Sequence, residues 1–284
     1  MSDHRSVPNQ LQSCGCIFEI RCNISCGGDL NAMSLESDYL GAFETHSPNE
    51  IRAAFAAGAS PVEPIKGKRP IDILIEMYTR SPRFAECLRV MLDAGATIDD
   101  PLVEAVLLDD DTALRRIVKT SRRNLERRLH MLCAYTCCKG VTALHVCAEF
   151  NSVRCAAALI EAGADINARA DVETGIGGQS PLFHAVNSNQ NHCRPVMELL
   201  VEAGADMDIR LKGLVWGGGF EWETIVFDVT PISYAQCGLY RQFHRREVDV
   251  YSNIAYLYRK RFRVEPEIRN VPNKYVFPRG ASSA

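Results

Sequence analysis

No stretch of this chain approaches the roughly 20 consecutive apolar residues that a membrane-spanning helix needs, and no apolar run follows a basic start at its N-terminus. A membrane span and a secretory signal are both excluded on this reading, which leaves a cytoplasmic address as the expectation. Charge of one sign is missing too. The chain has 32 Lys and Arg against 35 Asp and Glu, a net of -3, so nothing general draws it to nucleic acid or to an anionic lipid surface. Tryptophan is scarce, with Trp216 and Trp222 the two copies. Cysteine is not scarce, at twelve. Cys147, Cys155 and Cys193 nevertheless fall where Ala or Val would serve on a helix face, the usage of small buried hydrophobes in a reducing compartment rather than of a disulfide framework.

Motifs that would carry chemistry are incomplete. Cys14, Cys16, Cys22 and Cys26 crowd the first 32 residues, but zinc ribbons and fingers use two well-separated Cys-x(2-4)-Cys knuckles, and this spacing matches half of that. The expectation is a weakly ordered or disordered leader over 1–36 without metal, a zinc module being the alternative. Gly175-Ile176-Gly177-Gly178 stands ahead of a helix start, yet no strand precedes it and no lysine completes a phosphate loop. Neither His145 with Cys147 nor His192 with Cys193 makes a nucleophile pair, because a catalytic pair needs facing side chains and a third group to orient the base. The chain reads as no enzyme, with no catalytic residue and no cofactor. Its end, 264–284, with Pro266, Pro272 and Pro278, reads as an extended tail.

What is present is a recurring phrase. Thr142-Ala143-Leu144-His145 leads through a helical run to Gly163-Ala164-Asp165, and Ser180-Pro181-Leu182-Phe183 leads likewise to Gly204-Ala205-Asp206. The opening returns as Thr230-Pro231-Ile232-Ser233. Each unit spells a capped turn, a short helix, a tight connection, a longer helix and a glycine stop. In the clearest unit the inward positions are Leu144, Cys147 and Ala148 on the first helix and Ala156, Leu159 and Ile160 on the second. This pattern resembles the ankyrin repeat. Weaker units surround Pro70-Ile71 with Gly95-Ala96, Pro101 to Val118 with Asp109 to Asp111 at its turn, an early second helix over Ile51 to Ala59, and a last one over Val250 to Arg261. The resemblance implies an all-α helical-repeat solenoid of about six units over 37–263, acting as a non-catalytic scaffold for another protein. The expected state is a monomer, and hydropathy and net charge leave no membrane and no nucleic acid among the expected partners.

The spacing departs from the family. Ankyrin units recur every ~33 residues, whereas Thr142 to Ser180 spans about 38 and Ser180 to Thr230 about 50. The larger insertion, Met207 to Val229, spells a β-hairpin finger around Gly217-Gly218-Gly219, with Phe220, Trp222, Thr224 and Val226 alternating against Glu221, Glu223, Ile225 and Phe227. Trp216, Phe220 and Trp222 are its candidate partner-binding residues, since exposed aromatics anchor interfaces. The resemblance adds His184, Asn187 and Tyr234 as groove-facing candidates and makes His145 structural. Finally, Arg122 to Tyr135 reads as an extra helix with Leu125, Leu129 and Leu132 on one face. Arg115, Arg116, Lys119, Arg122, Arg123, Arg127 and Arg128 make 115–128 basic, an alternative dock for an acidic surface or nucleic acid in a regulatory or inhibitory subunit.

Overall fold

Prolines open most first helices of the chain and glycines close the second ones, and the architecture follows from that punctuation. The computed structural model describes residues 30–133, 136, 138–218, 223–239 and 245–266, with side chains from 35 onward. Among these, twelve helices fall into six consecutive pairs: α1 (Leu30–Glu44) with α2 (Pro48–Ala56), α3 (Pro70–Glu76) with α4 (Phe84–Asp93), α5 (Pro101–Leu107) with α6 (Asp111–Thr120), α7 (Ala143–Phe150) with α8 (Val153–Glu161), α9 (Pro181–Ala185) with α10 (Arg194–Glu202), and α11 (Pro231–Cys237) with α12 (Glu247–Phe262). Pro70, Pro101, Pro181 and Pro231 sit in the first turn, where the missing N–H costs nothing. Asp100 and Asp110 each accept a 3.0 Å bond from the backbone of the helix they cap.

Three of the second helices, α4, α8 and α10, stop alike, whereas α6 ends on extended Ser121. Gly95, Gly163 and Gly204 adopt φ of 102°, 87° and 95°, conformations that only glycine holds without strain. The alanine after each returns its N–H to the carbonyl five residues back, Ala96 to Met91, Ala164 to Leu159 and Ala205 to Leu200, which satisfies carbonyls the helix leaves open. The last helix, α12, ends instead on Arg263 at φ 61°. First helices pack on first helices along α5, α7, α9 and α11, and second on second along α6, α8 and α10. The two layers bury Leu144, Leu159, Leu182 and Leu200 completely between them. Cys147, Cys155 and Cys193 lie in this core as free thiols. No helix among the described residues is long and apolar enough to cross a membrane. The leader expected over 1–36 already enters α1 at Leu30; Cys14, Cys16, Cys22 and Cys26 lie outside the described residues, as does most of the expected tail.

Among the described residues three antiparallel hairpins occupy connections between pairs: β1 (Leu129–Met131) with β2 (Cys138–Val141), β3 (Val172–Glu173) with β4 (Ile176–Gly177), and β5 (Leu211–Trp216) with β6 (Thr224–Val229). They stand side by side, Asp171 donating its N–H to the Lys139 carbonyl and Thr136 bridging to Trp216. The helix expected over Arg122 to Tyr135 does not form. A single 3-10 turn, Arg122–Leu125, gives way to β1, whose backbone pairs with β2 instead; Leu125 and Leu129 are buried and Leu132 is half exposed. Nor is there a continuous basic helix face. Arg127 pairs with Asp100, Arg128 donates to the carbonyls of Gly140 and Arg169, Arg122 to that of Ala162, and Arg115 to Glu161.

Candidate functional site

The last residues of the first helices are where a helical-repeat array offers its groove, and here they are covered. On α7, Val146, Glu149 and Phe150 are buried, and so are His184 on α9 and Tyr234 on α11. The cover comes from connections. Met77 to Arg83, between α3 and α4, carries Arg80 past the third pair to the end of α7. Its guanidinium carbon lies 4.2 Å from the centroid of the Phe150 ring, and its Nη2 3.3 Å from Oε1 of Glu149. Nη1 donates to the carbonyls of Met77 and Thr79. Phe84, at the start of α4, meets Phe150 with ring centroids 5.0 Å apart.

Glu149 is the hub. His184 donates from Nδ1 to its Oε2 at 3.2 Å. Burial pushes this carboxyl up, but the His184 hydrogen bond and the charge of Arg80 outweigh it and hold the group below the usual value of 4.5. Asn187 closes the far side, its Nδ2 donating to the Tyr234 carbonyl at 3.4 Å and its own carbonyl accepting from Nε of Arg245 at 2.9 Å. Burial lowers His192 to about 4, with the Arg80 charge adding to it. Such a cluster, charges paired and enclosed, is what a buried ion pair needs in order to be tolerated. It offers little reactive chemistry: the thiols beside it are inert, Cys193 being pushed up to about 12 by burial.

His145 is tied as an ankyrin-type histidine would be. Its Nδ1 accepts the Thr142 N–H at 3.1 Å, and Nε2 lies 3.0 Å from the Gln179 carbonyl, joining the start of one pair to the connection before the next.

The hairpin β5–β6 provides a different surface. Register places Gly213 opposite Phe227, Val215 opposite Ile225, Leu214 opposite Val226 and Trp216 opposite Thr224. One face, with Leu214 and Trp216, turns inward; Trp216 is 2% exposed. The other carries Ile225 at 41% and Phe227 at 68% exposure. A Cβ at Gly213 would stand 2.4 Å from Cδ1 of Ile176, so the missing side chain is what lets β4 lean its isoleucine onto this face.

The six sequence candidates are thus divided. His184, Asn187 and Tyr234 come together, but inside a closed cluster rather than on an open groove, because Arg80 and Arg245 cover them. Trp216 is turned inward. Phe220 and Trp222 lie outside the described residues. Arg80 and Glu149 escaped the sequence reading, although Glu149 follows Ala148 in the recurring phrase at the step where Asn187 follows Val186. Ile225 and Phe227 were visible in the alternation and were passed over for the tryptophans. Against family models, residues 79–210 match ankyrin repeats, in three copies. A search of curated proteins gives no match.

Proposed function

Since this chain belongs to the ankyrin-repeat proteins, whose repeats generally mediate contacts between proteins, we propose that it is a non-catalytic scaffold that captures a protein partner on the outer face of its third hairpin. The observation that carries this reading is the pair Ile225 and Phe227, held open on a strand whose opposite face is anchored by buried Trp216. Apolar side chains on a rigid backing bind with little ordering cost, and a phenylalanine of this exposure has its apolar area still to bury. Phe220 and Trp222 belong to the same insertion in the sequence and remain candidates for the contact. The buried ends of α7, α9 and α11 support this choice over the central groove, because His184 and Tyr234 already have occupants.

The test is capture of a partner from a lysate of the source cells by the full chain, with a photo-crosslinking residue at 227 to mark the contact. Replacing Ile225 and Phe227 together by serine is expected to abolish capture while the far-ultraviolet circular dichroism stays unchanged. Undiminished capture by the folded double variant would refute the assignment of this face.

A further inference from the structure

The seat of Arg80 is built like a binding site. Of the groups around its guanidinium, α7 supplies a planar aromatic face, Phe150, and a carboxylate, Glu149, a pair that favours a flat, delocalised cation over a compact ammonium; the two carbonyls it donates to, of Met77 and Thr79, belong to its own connection. The occupant is imperfectly held. Among the described residues Nε makes no hydrogen bond, and Nη2, though 3.3 Å from Glu149, lacks hydrogen-bond alignment. The chain that delivers it, from Met77 to Arg83, is irregular, whereas the step from α7 to α8 takes Asn151 and Ser152 alone. Beside the seat a cleft of about 650 Å³ opens, with Phe84 and Phe150 among its walls together with Ser81, His192 and the ion pair of Arg194 with Glu198.

We propose that this seat is an arginine-binding site held shut in cis: Arg80 occupies it in the isolated chain, and an arginine of a protein partner, entering along the cleft, takes its place when the Met77 to Arg83 connection lifts. The inference rests on the protein-binding reading and adds to it the chemistry of a partner residue. A tethered competitor has a high effective concentration, so the closed chain binds a free arginine peptide only in proportion to its open fraction. Glu149 and Phe150 then serve either guanidinium equally, and removing Arg80 leaves a cation seat whose carboxylate keeps its His184 bond but has lost its guanidinium.

The experiment uses the full chain and two probes, acetyl-Gly-Arg-Gly-amide and the same peptide with citrulline, which keeps the shape of arginine and loses its charge. By titration calorimetry Arg80→Ala is expected to bind the arginine peptide at least about tenfold more tightly than the unaltered chain does, and at least about tenfold more tightly than it binds the citrulline peptide. Adding Glu149→Gln to Arg80→Ala removes that preference. A folded Arg80→Ala chain that binds neither peptide, or both alike, overturns the proposal. Should Arg80→Ala fail to fold, amide exchange on the unaltered chain decides. Exchange of 77–83 ahead of α7 and α9 marks a segment that opens by itself, while exchange of all three together marks a fixed strut and overturns the latch. Neither readout involves Ile225 or Phe227, so this idea and the capture of a partner by the hairpin fail separately.

Discussion

Among the described residues three histidines, His46, His145 and His192, are held well below their ordinary pKa, and together they shape the response to acid. Burial, the largest cause in each, lowers His46 and His145 to about 3 and His192 to about 4. For His145 the neighbouring His184 adds to the effect and the bond to the Gln179 carbonyl opposes it. Their unfolded value of 6.5 lies above the folded ones, so as pH falls the unfolded chain takes up protons first. Stability is whole above about 6.5 and declines from there toward the folded values, by about 2 kcal/mol per histidine at pH 5 as an upper bound. Glu149, held below 4.5, adds a loss only at lower pH. Urea denaturation at pH 7 and pH 5 is expected to show the drop; a flat profile over that range would mean the rings are solvated. His145 was legible in the sequence because its role depends on partners within its own pair and the next connection. His184, at a similar helix position, was not. What decides its surroundings is Arg80, far away along the chain.

At the scale of elements, the third hairpin shows how alternation can be right about structure and silent about orientation. The pattern from Leu211 to Val229 announces two strands with apolar groups on both faces, but which face turns in is fixed by the neighbouring hairpins through Ile176 over Gly213 and Thr136 beside Trp216. Trp216→Ala is therefore expected to destabilise the chain by about 3–5 kcal/mol, the range for emptying a buried aromatic site, measurable as a lowered urea midpoint. Serine at Ile225 and Phe227 is expected to shift that midpoint little, since exposed positions change stability by roughly ±0.5 kcal/mol. The segment from Arg122 to Tyr135 misleads in the opposite way: its leucines fall at helical spacing, but their burial is unequal, and pairing of β1 with β2 satisfies the backbone instead. Helix starts and stops were the most legible elements, because proline, aspartate and glycine act there through local geometry alone.

For the whole molecule the consequential contact is the one that skips a neighbour. In a simple repeat array each pair touches only the next, and unfolding can begin at an end and spread. Here Arg80 and Phe84, from the second pair, are seated on Glu149 and Phe150 of the fourth, so the N-terminal pairs cannot peel away without breaking a charged and aromatic contact in the middle of the stack. Unfolding followed by helical circular dichroism and by tryptophan fluorescence is expected to coincide in the unaltered chain. In Arg80→Ala the two curves are expected to separate, the helical signal of the N-terminal pairs falling first; coincident curves in that variant would show that nearest neighbours suffice for cooperativity.

The same bridge bears on how such a chain can change over generations. An array whose units meet only their neighbours tolerates the gain or loss of a whole unit, since duplicating one leaves every interface intact. Arg80 reaches its seat by spanning the pair α5–α6, so a duplicated or deleted pair between Arg80 and Glu149 would carry the carboxylate out of reach and leave both charges without each other. Between those two residues the number of units is fixed. Growth is left to positions outside that span and to the hairpins, where extra length of this chain is found.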